Sequence, residues 1–154
     1  MSKYLQARKK ALKNIQVADH ILTQTYPLVK DPKLLLAVVD NIFLALSEII
    51  NMAVYYEREE KNIPPFHDSF EIKFDIFKMN LAPKYGINPA SIAFIADMKT
   101  IIEQHKNSPV EFSRKDSFII CDEEYSMTTI TTSQMKKFID NTREIFTLVD
   151  EQLQ

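Results

Sequence analysis

The sequence is poor in the residues that several common kinds of site require. It contains one glycine, one cysteine and no tryptophan among its 154 residues. A single glycine excludes both the phosphate-binding loop G-x-x-x-x-G-K-[ST] and the dinucleotide-binding motif G-x-G-x-x-G. Disulfides and thiolate zinc clusters need more than one cysteine, so Cys121 forms neither within the chain. Cys121 ends the apolar stretch Phe118–Cys121, which favours a buried, inert thiol over a reactive one.

The chain also lacks a large net charge and a long apolar run. Its formal net charge is -2, so composition predicts no general attraction to nucleic acid. The longest unbroken apolar run is Leu34–Val39, far shorter than the roughly 20 residues that span a bilayer. The first residues are charged and lack the apolar segment of a signal peptide. We therefore expect a cytoplasmic protein that does not associate with a membrane.

What the sequence does contain is the pattern of a helical domain. Apolar residues make up 45% of the chain and recur at helical spacing over most of its length. We expect residues 1–154 to form a single, mainly α domain. The predicted architecture is an up-down bundle of four to five helices with a small β-hairpin before the last helix. The predicted helices cover 3–25, 31–60, 88–106 and 133–152, and the hairpin covers 117–131.

The predicted helix 31–60 is the candidate core of the bundle. Asp31 and Pro32 supply an acidic N-cap and a proline in the first turn, and the apolar residues that follow cover most of the circumference. A polar stripe interrupts them, formed by Asp40, Asn41, Ser47, Glu48 and Asn51. Such a stripe either faces water or lines a groove or a subunit contact.

Residues 68–81 fit two structures. Their apolar residues alternate with charged ones, as in a strand, but they also place Phe70 and Phe74 on one face of a helix. Asp68, three residues before Glu71, resembles a capping box, which favours the helix.

Basic residues gather in two parts of the sequence. In the first predicted helix they form either a solvated face or a polyanion contact; they are Lys3, Arg8, Lys9, Lys10 and Lys13. The second group follows Lys99, where a helix is predicted to end in a polar loop, and comprises His105, Lys106, Arg114 and Lys115. Cations at a helix C-terminus stabilise the helix through its dipole. The same groups also suit an anion site in which His105 transfers protons while its neighbours hold a phosphate.

The histidines show no metal-binding motif. A di-iron site in a helical bundle uses Glu-x-x-His on two helices, and no glutamate lies three residues before His20, His67 or His105. We expect neither a metal ion nor a cofactor.

The order of the predicted elements, with a histidine at a helix end and a final amphipathic helix, resembles the HEPN superfamily of small helical domains. Many members are RNases that carry Arg, four to six residues, then His, and they dimerise so that two such motifs meet in a cleft. Here five residues separate Lys99 from His105, with Lys in place of Arg, and Asn107 stands where a tyrosine is frequent. Lysine lacks the planar fork of arginine.

The resemblance implies a homodimer that binds RNA or another nucleic acid and is either an RNase or a degenerate, inactive one. The catalytic candidates are His105 and Lys99, and the nucleic-acid contacts implied are Lys106, Asn107, Arg114 and Lys115. The alternative is a non-catalytic module that binds a partner protein, so whether the chain is an enzyme stays open. A positive cleft around His105 would favour RNA, whereas an exposed apolar patch would favour a protein partner.

Overall fold

The computed structural model describes residues 2–153, which form five helices and a three-stranded antiparallel sheet. The predicted helical bundle with a small β element before the last helix is confirmed. Two helices contain an internal π-helical turn and then one closing α-turn. The helices are α1 (Lys3–His20, π turn Ile21–Thr25, closing turn Tyr26–Val29), α2 (Leu34–Glu59), α3 (Phe70–Ile76, π turn Phe77–Leu81, closing turn Ala82–Tyr85), α4 (Pro89–Asn107) and α5 (Thr132–Gln152).

Helix α2 is the centre of the bundle, as the sequence predicted. Leu35, Ile42 and Leu46 are at most 1% exposed, and all four other helices pack against α2. Helix α1 packs closely against α2 because the buried face of α1 consists largely of small residues, including Ala7 and Ala11. The regular helix begins at Leu34 rather than Asp31, whose carboxylate accepts a hydrogen bond from the backbone N–H of Lys33 at 3.0 Å.

The composition of α2 also meets the usual test for a membrane-spanning helix. Its most apolar 18-residue window has a mean hydropathy of 1.8. The core helix of a bundle passes the same test, so one such helix is weak evidence for a membrane span.

Each π-helical turn lies directly before a proline near the start of the closing turn. Pro27 follows the π turn of α1 and Pro83 follows that of α3. A proline lacks an N–H, and its ring clashes with the carbonyl four residues earlier in an α-helix. A wider turn at that point relieves the clash while the helix continues.

The helix predicted within residues 68–81 is present from Phe70 onward, but the predicted capping box is wrong. Ser69 is the N-cap of α3, and its hydroxyl accepts the backbone N–H of Ile72 at 3.3 Å. The Asp68 carboxylate instead pairs with Lys73 at 2.7 Å and accepts the hydroxyl of Tyr55 at 3.0 Å. Asp68 therefore ties α3 to α2.

The sheet contains one more strand than the sequence predicted. The predicted hairpin is present as β2 (Ser117–Cys121) and β3 (Met127–Thr131). The segment expected to be a polar loop contains a further strand, β1 (Val110–Arg114), which pairs antiparallel with β2. The backbone of β2 supplies the hydrogen-bond partners that make this segment a strand. The local sequence of the segment does not show that these partners are available.

One carboxylate is buried where α2 ends. Glu57 is 2% exposed and accepts hydrogen bonds from the Tyr85 hydroxyl at 2.7 Å, the Asn62 amide at 2.8 Å and the Lys84 ammonium at 3.0 Å. Burial raises the pKa of Glu57, but the hydrogen bonds from Tyr85, Asn62 and Lys84 outweigh it, so the net pKa is lowered. This cluster joins the end of α2 to the end of α3.

Candidate functional site

The side chain of Lys99 is directed toward α3. Its ammonium lies 2.6 Å from Glu71 and 3.6 Å from Glu103, and 4.9 Å from the centre of the Phe70 ring. The hydrogen bond with Glu71 raises the pKa of Lys99. Six helical positions separate Lys99 from His105, about 9 Å along the axis and 120° around it. The structure thus gives Lys99 partners of its own and does not pair it with His105.

His105 forms a pair with a carboxylate from the neighbouring strand. Its Nδ1 lies 2.6 Å from Oε2 of Glu111 on β1. A carboxylate accepts hydrogen bonds, so Nδ1 donates and a neutral ring presents a lone pair on Nε2. This geometry suits a general base, as in other carboxylate–histidine pairs.

The charge around His105 does not suit a phosphate. Burial raises the pKa of Asp40 on α2, while the nearby His105 and Lys106 lower it. Glu111 therefore contacts the ring, and the Asp40 carboxylate lies near enough for its charge to interact with His105 and Lys106. The two negative charges disfavour the binding of a phosphate at this position.

Arg114 and Lys115 lie at the other end of β1. Arg114 lies three positions after Glu111, about 10 Å along the strand, and alternation along the strand places the two side chains on opposite faces. The Arg114 guanidinium lies 5.5 Å from the centre of the Phe112 ring. The four basic groups after Lys99 consequently divide into two pairs: His105 with Lys106, and Arg114 with Lys115.

The second pair lines a surface hollow together with a cation that the sequence did not indicate. The hollow has a volume of about 510 Å³ and lies between the β1–β2 turn and the α1–α2 connection. We call it the basic hollow; its lining residues are Lys30, Pro32, Ser113, Arg114, Lys115 and Asp116. Lys30 was missed because it lies 84 positions before Arg114 in the sequence and no local pattern links them.

The carboxylate of Asp116, which lines the basic hollow, already has a hydrogen-bond donor. The hydroxyl of Tyr26 donates to Asp116 at 2.8 Å. Burial, with this hydrogen bond as the second cause, raises the pKa of Tyr26 to about 12, so the phenol keeps its proton at neutral pH. Across residues 2–153, neither Arg114 nor Lys115 lies within 4.0 Å of a carboxylate oxygen. Their charges therefore remain available to an anion.

The remaining two predicted contact residues lie at the C-terminus of α4. Lys106 is exposed. The side-chain amide of Asn107 donates to the carbonyl of Glu103 at 3.1 Å, within the last turn of the helix. Both positions are consistent with stabilisation of the helix end.

A third surface lies on α2, where one side of the core helix is left uncovered between α1 and α3. Leu44 is 51% exposed at its centre, with Asp40 and Glu48 one turn away on either side. We call it the acidic stripe; it comprises Asp40, Asn41, Leu44, Ser47, Glu48 and Asn51. Its polar residues are the polar stripe noted in the sequence. The sequence did not indicate that Leu44 belongs to the same surface, because Leu44 is as apolar as the neighbouring residues of α2 that are buried.

The described part of the chain contains no cluster of three or more histidine, cysteine, aspartate or glutamate residues that would hold a metal ion. No protein-family model matches the chain, and no curated protein sequence or solved structure is significantly similar to it.

Proposed function

We propose that the chain is a homodimeric helical domain that binds the phosphates of single-stranded RNA at the basic hollow, without cleaving it. The observation that carries the proposal is the convergence of Lys30, Arg114 and Lys115 from two distant segments on one hollow. Two of these cations, Arg114 and Lys115, have no carboxylate partner among residues 2–153.

Further features of the hollow suit a nucleic-acid backbone. An arginine binds phosphate through two parallel N–H donors, and the Ser113 hydroxyl adds a neutral donor. Phe112, next to Arg114, offers an aromatic ring of the kind on which single-stranded bases stack. The order of the helices, with His105 near the end of α4, supports the HEPN-like interpretation of the fold.

The proposal assigns no catalytic role to Lys99, because Glu71 and Glu103 already neutralise its ammonium. His105 keeps a geometry compatible with proton transfer, but Asp40 and Glu111 would repel a phosphate from it. Binding without cleavage is therefore the function that the geometry supports best.

We expect the wild-type protein to bind a fluorescent oligouridine in low salt, with an affinity that falls as salt rises. Each phosphate contact on a single strand contributes about -0.7 to the log–log slope. The double variant Arg114→Ala, Lys115→Ala removes two cations, so it should bind more weakly and flatten the slope by about 1.4. Fluorescence anisotropy at four or more salt concentrations measures both quantities.

The matched control removes two exposed lysines of α5, Lys136→Ala and Lys137→Ala, and should leave the slope unchanged. His105→Ala should also bind RNA as the wild type does. The proposal fails if the wild type gives no signal in low salt, or if the α5 control flattens the slope as much as the Arg114 and Lys115 variant. Cleavage of the RNA that disappears in His105→Ala would contradict the non-catalytic part.

A further inference from the structure

The uncovered acidic stripe is unusual because it belongs to the most buried helix of the bundle. Elsewhere on α2 the apolar side chains are covered, but the side chain of Leu44 is 51% exposed. Asp40, Leu44 and Glu48 are spaced four residues apart and so follow one side of the helix over about 12 Å. The stripe presents one apolar residue between two acidic ones.

Burial disfavours the charge of both carboxylates of the stripe, and cations of the same chain compensate for this only in part. Burial is the main cause that raises the pKa of Asp40, and the nearby His105 and Lys106 lower it only in part. Burial is also the main cause that raises the pKa of Glu48. Lys10 and Lys73 lie near Glu48 and lower its pKa again, yet the net shift stays upward. A cation supplied from outside the chain would stabilise both carboxylates.

The neighbouring face of α1 has the complementary charge. Lys10, Lys13 and Val17 are spaced three and four residues apart and share one side of α1. Both lysines are exposed and Val17 is half-buried. Tyr4 packs against Tyr56, and Lys10 lies near Glu48, so α1 and α2 run antiparallel with the basic face directly beside the acidic stripe.

We infer that a second copy of the chain covers the acidic stripe, with α1 of each copy packed on α2 of the other. A twofold axis parallel to the helices places Lys10 and Lys13 of one copy against Glu48 and Leu44 of the other. An axis perpendicular to the helices would instead place α1 on α1 and α2 on α2, which brings like charges together. Charge alone therefore selects the first arrangement, which is self-complementary as a twofold dimer requires.

The size of the face indicates a weak dimer. Helix α1 has 18 residues before its π turn and is therefore about 27 Å long. Because two packed helices lie about 10 Å apart, α1 and α2 together present a face of roughly 500 Å² per copy. Specific interfaces of this size lie at the small end of the known range. We expect dissociation in the micromolar range and a dependence on salt, because charged pairs contribute to the contact.

This inference deepens the homodimer of the proposed function, and charge-reversed variants test it. One variant carries Asp40→Lys and Glu48→Lys, and the other carries Lys10→Glu and Lys13→Glu. Each alone juxtaposes like charges across the twofold axis, so each should dimerise at least tenfold more weakly than the wild type. An equimolar mixture restores opposite charges at both contacts and should form a heterodimer. Sedimentation velocity measures all four samples, and circular dichroism verifies that each variant is folded.

The control reverses two charges on α5, Lys136→Glu and Lys137→Glu, and should dimerise as the wild type does. A monomeric wild type at 100 times the expected micromolar dissociation constant overturns the inference, as do variants that stay dimeric alone or a mixture that forms no heterodimer. RNA binding is measured separately on the Asp40→Lys, Glu48→Lys variant. A weakened dimer with retained salt-dependent binding at the basic hollow supports both proposals. A variant that stays dimeric overturns only the interface, and a dimeric wild type that binds no RNA in low salt overturns only the RNA-binding proposal.

Discussion

Replacing Leu46 with alanine is expected to lower the free energy of unfolding by about 2–5 kcal/mol. Leu46 is completely buried in the middle of α2, and the surrounding helices are each held by other contacts, so the vacated space cannot close fully. The loss comprises the transfer free energy of the removed methyl groups and the cost of the remaining cavity. Urea denaturation followed by circular dichroism measures it.

The matched control is Leu28→Ala, the same substitution at a residue that is 87% exposed. It should change the free energy of unfolding by no more than about 0.5 kcal/mol. Ile42→Ala, at a second buried position of α2, should resemble Leu46→Ala. Losses below about 1 kcal/mol at both buried positions, against the 2–5 expected of a core site, would show that α2 is not the core of the folded protein in solution.

The second large effect is expected from Glu57→Ala, with a loss of about 2–4 kcal/mol at neutral pH. The substitution leaves the buried hydroxyl of Tyr85 without its acceptor and removes the partner of Asn62. Lys84 is half-exposed and regains water, so its contribution is smaller. Thermal and urea unfolding measure the loss, and Glu59→Ala, at an exposed position of the same helix, is the control.

The same residue makes the loss dependent on pH. The pKa of Glu57 is lower in the folded chain than the ordinary value, so its stabilising contribution is complete above about pH 4.3, the unfolded value. It disappears as the pH falls through the folded pKa. The stability difference between wild type and Glu57→Gln should therefore be largest near pH 7 and shrink below pH 4. A difference that stays constant down to pH 3 would mean that the ionised carboxylate is not what stabilises the cluster.

The elements that the sequence predicted well are those with a long, local signal. The apolar circumference of α2 is visible in a single window of sequence and is found in the structure. The strand β1 was missed because five residues carry little periodicity and its partner lies in β2. The cap of α3 was misplaced by one residue, since Asp68 and Ser69 are equally good N-caps and only the position of Tyr55 decides between them.

The candidate site was only partly predictable for the same reason. Arg114 and Lys115 were singled out by their local density of charge, but Lys30 joins them only through the folded chain. The spacing of Lys99 and His105 suggested a functional pair, yet spacing along a helix does not specify which neighbours each side chain meets. Glu71 comes from α3 and Glu111 from β1, so neither partner belongs to the motif that drew attention to these residues.

The close pairing of α1 with α2 also bears on the order in which the chain folds. These two helices are joined by a short turn and make more contacts with each other than any other two elements, so they meet at little cost in loop-closure entropy. The contacts of α5 with α1 join residues that are far apart in the sequence, as the ion pair of Arg8 with Asp150 shows. Until it arrives, the apolar side of the α1–α2 hairpin is open to solvent. A partly folded chain therefore exposes the apolar side chains that α5 covers in the native structure. During synthesis these side chains stay exposed until α5, which follows the other helices in the chain, has been made.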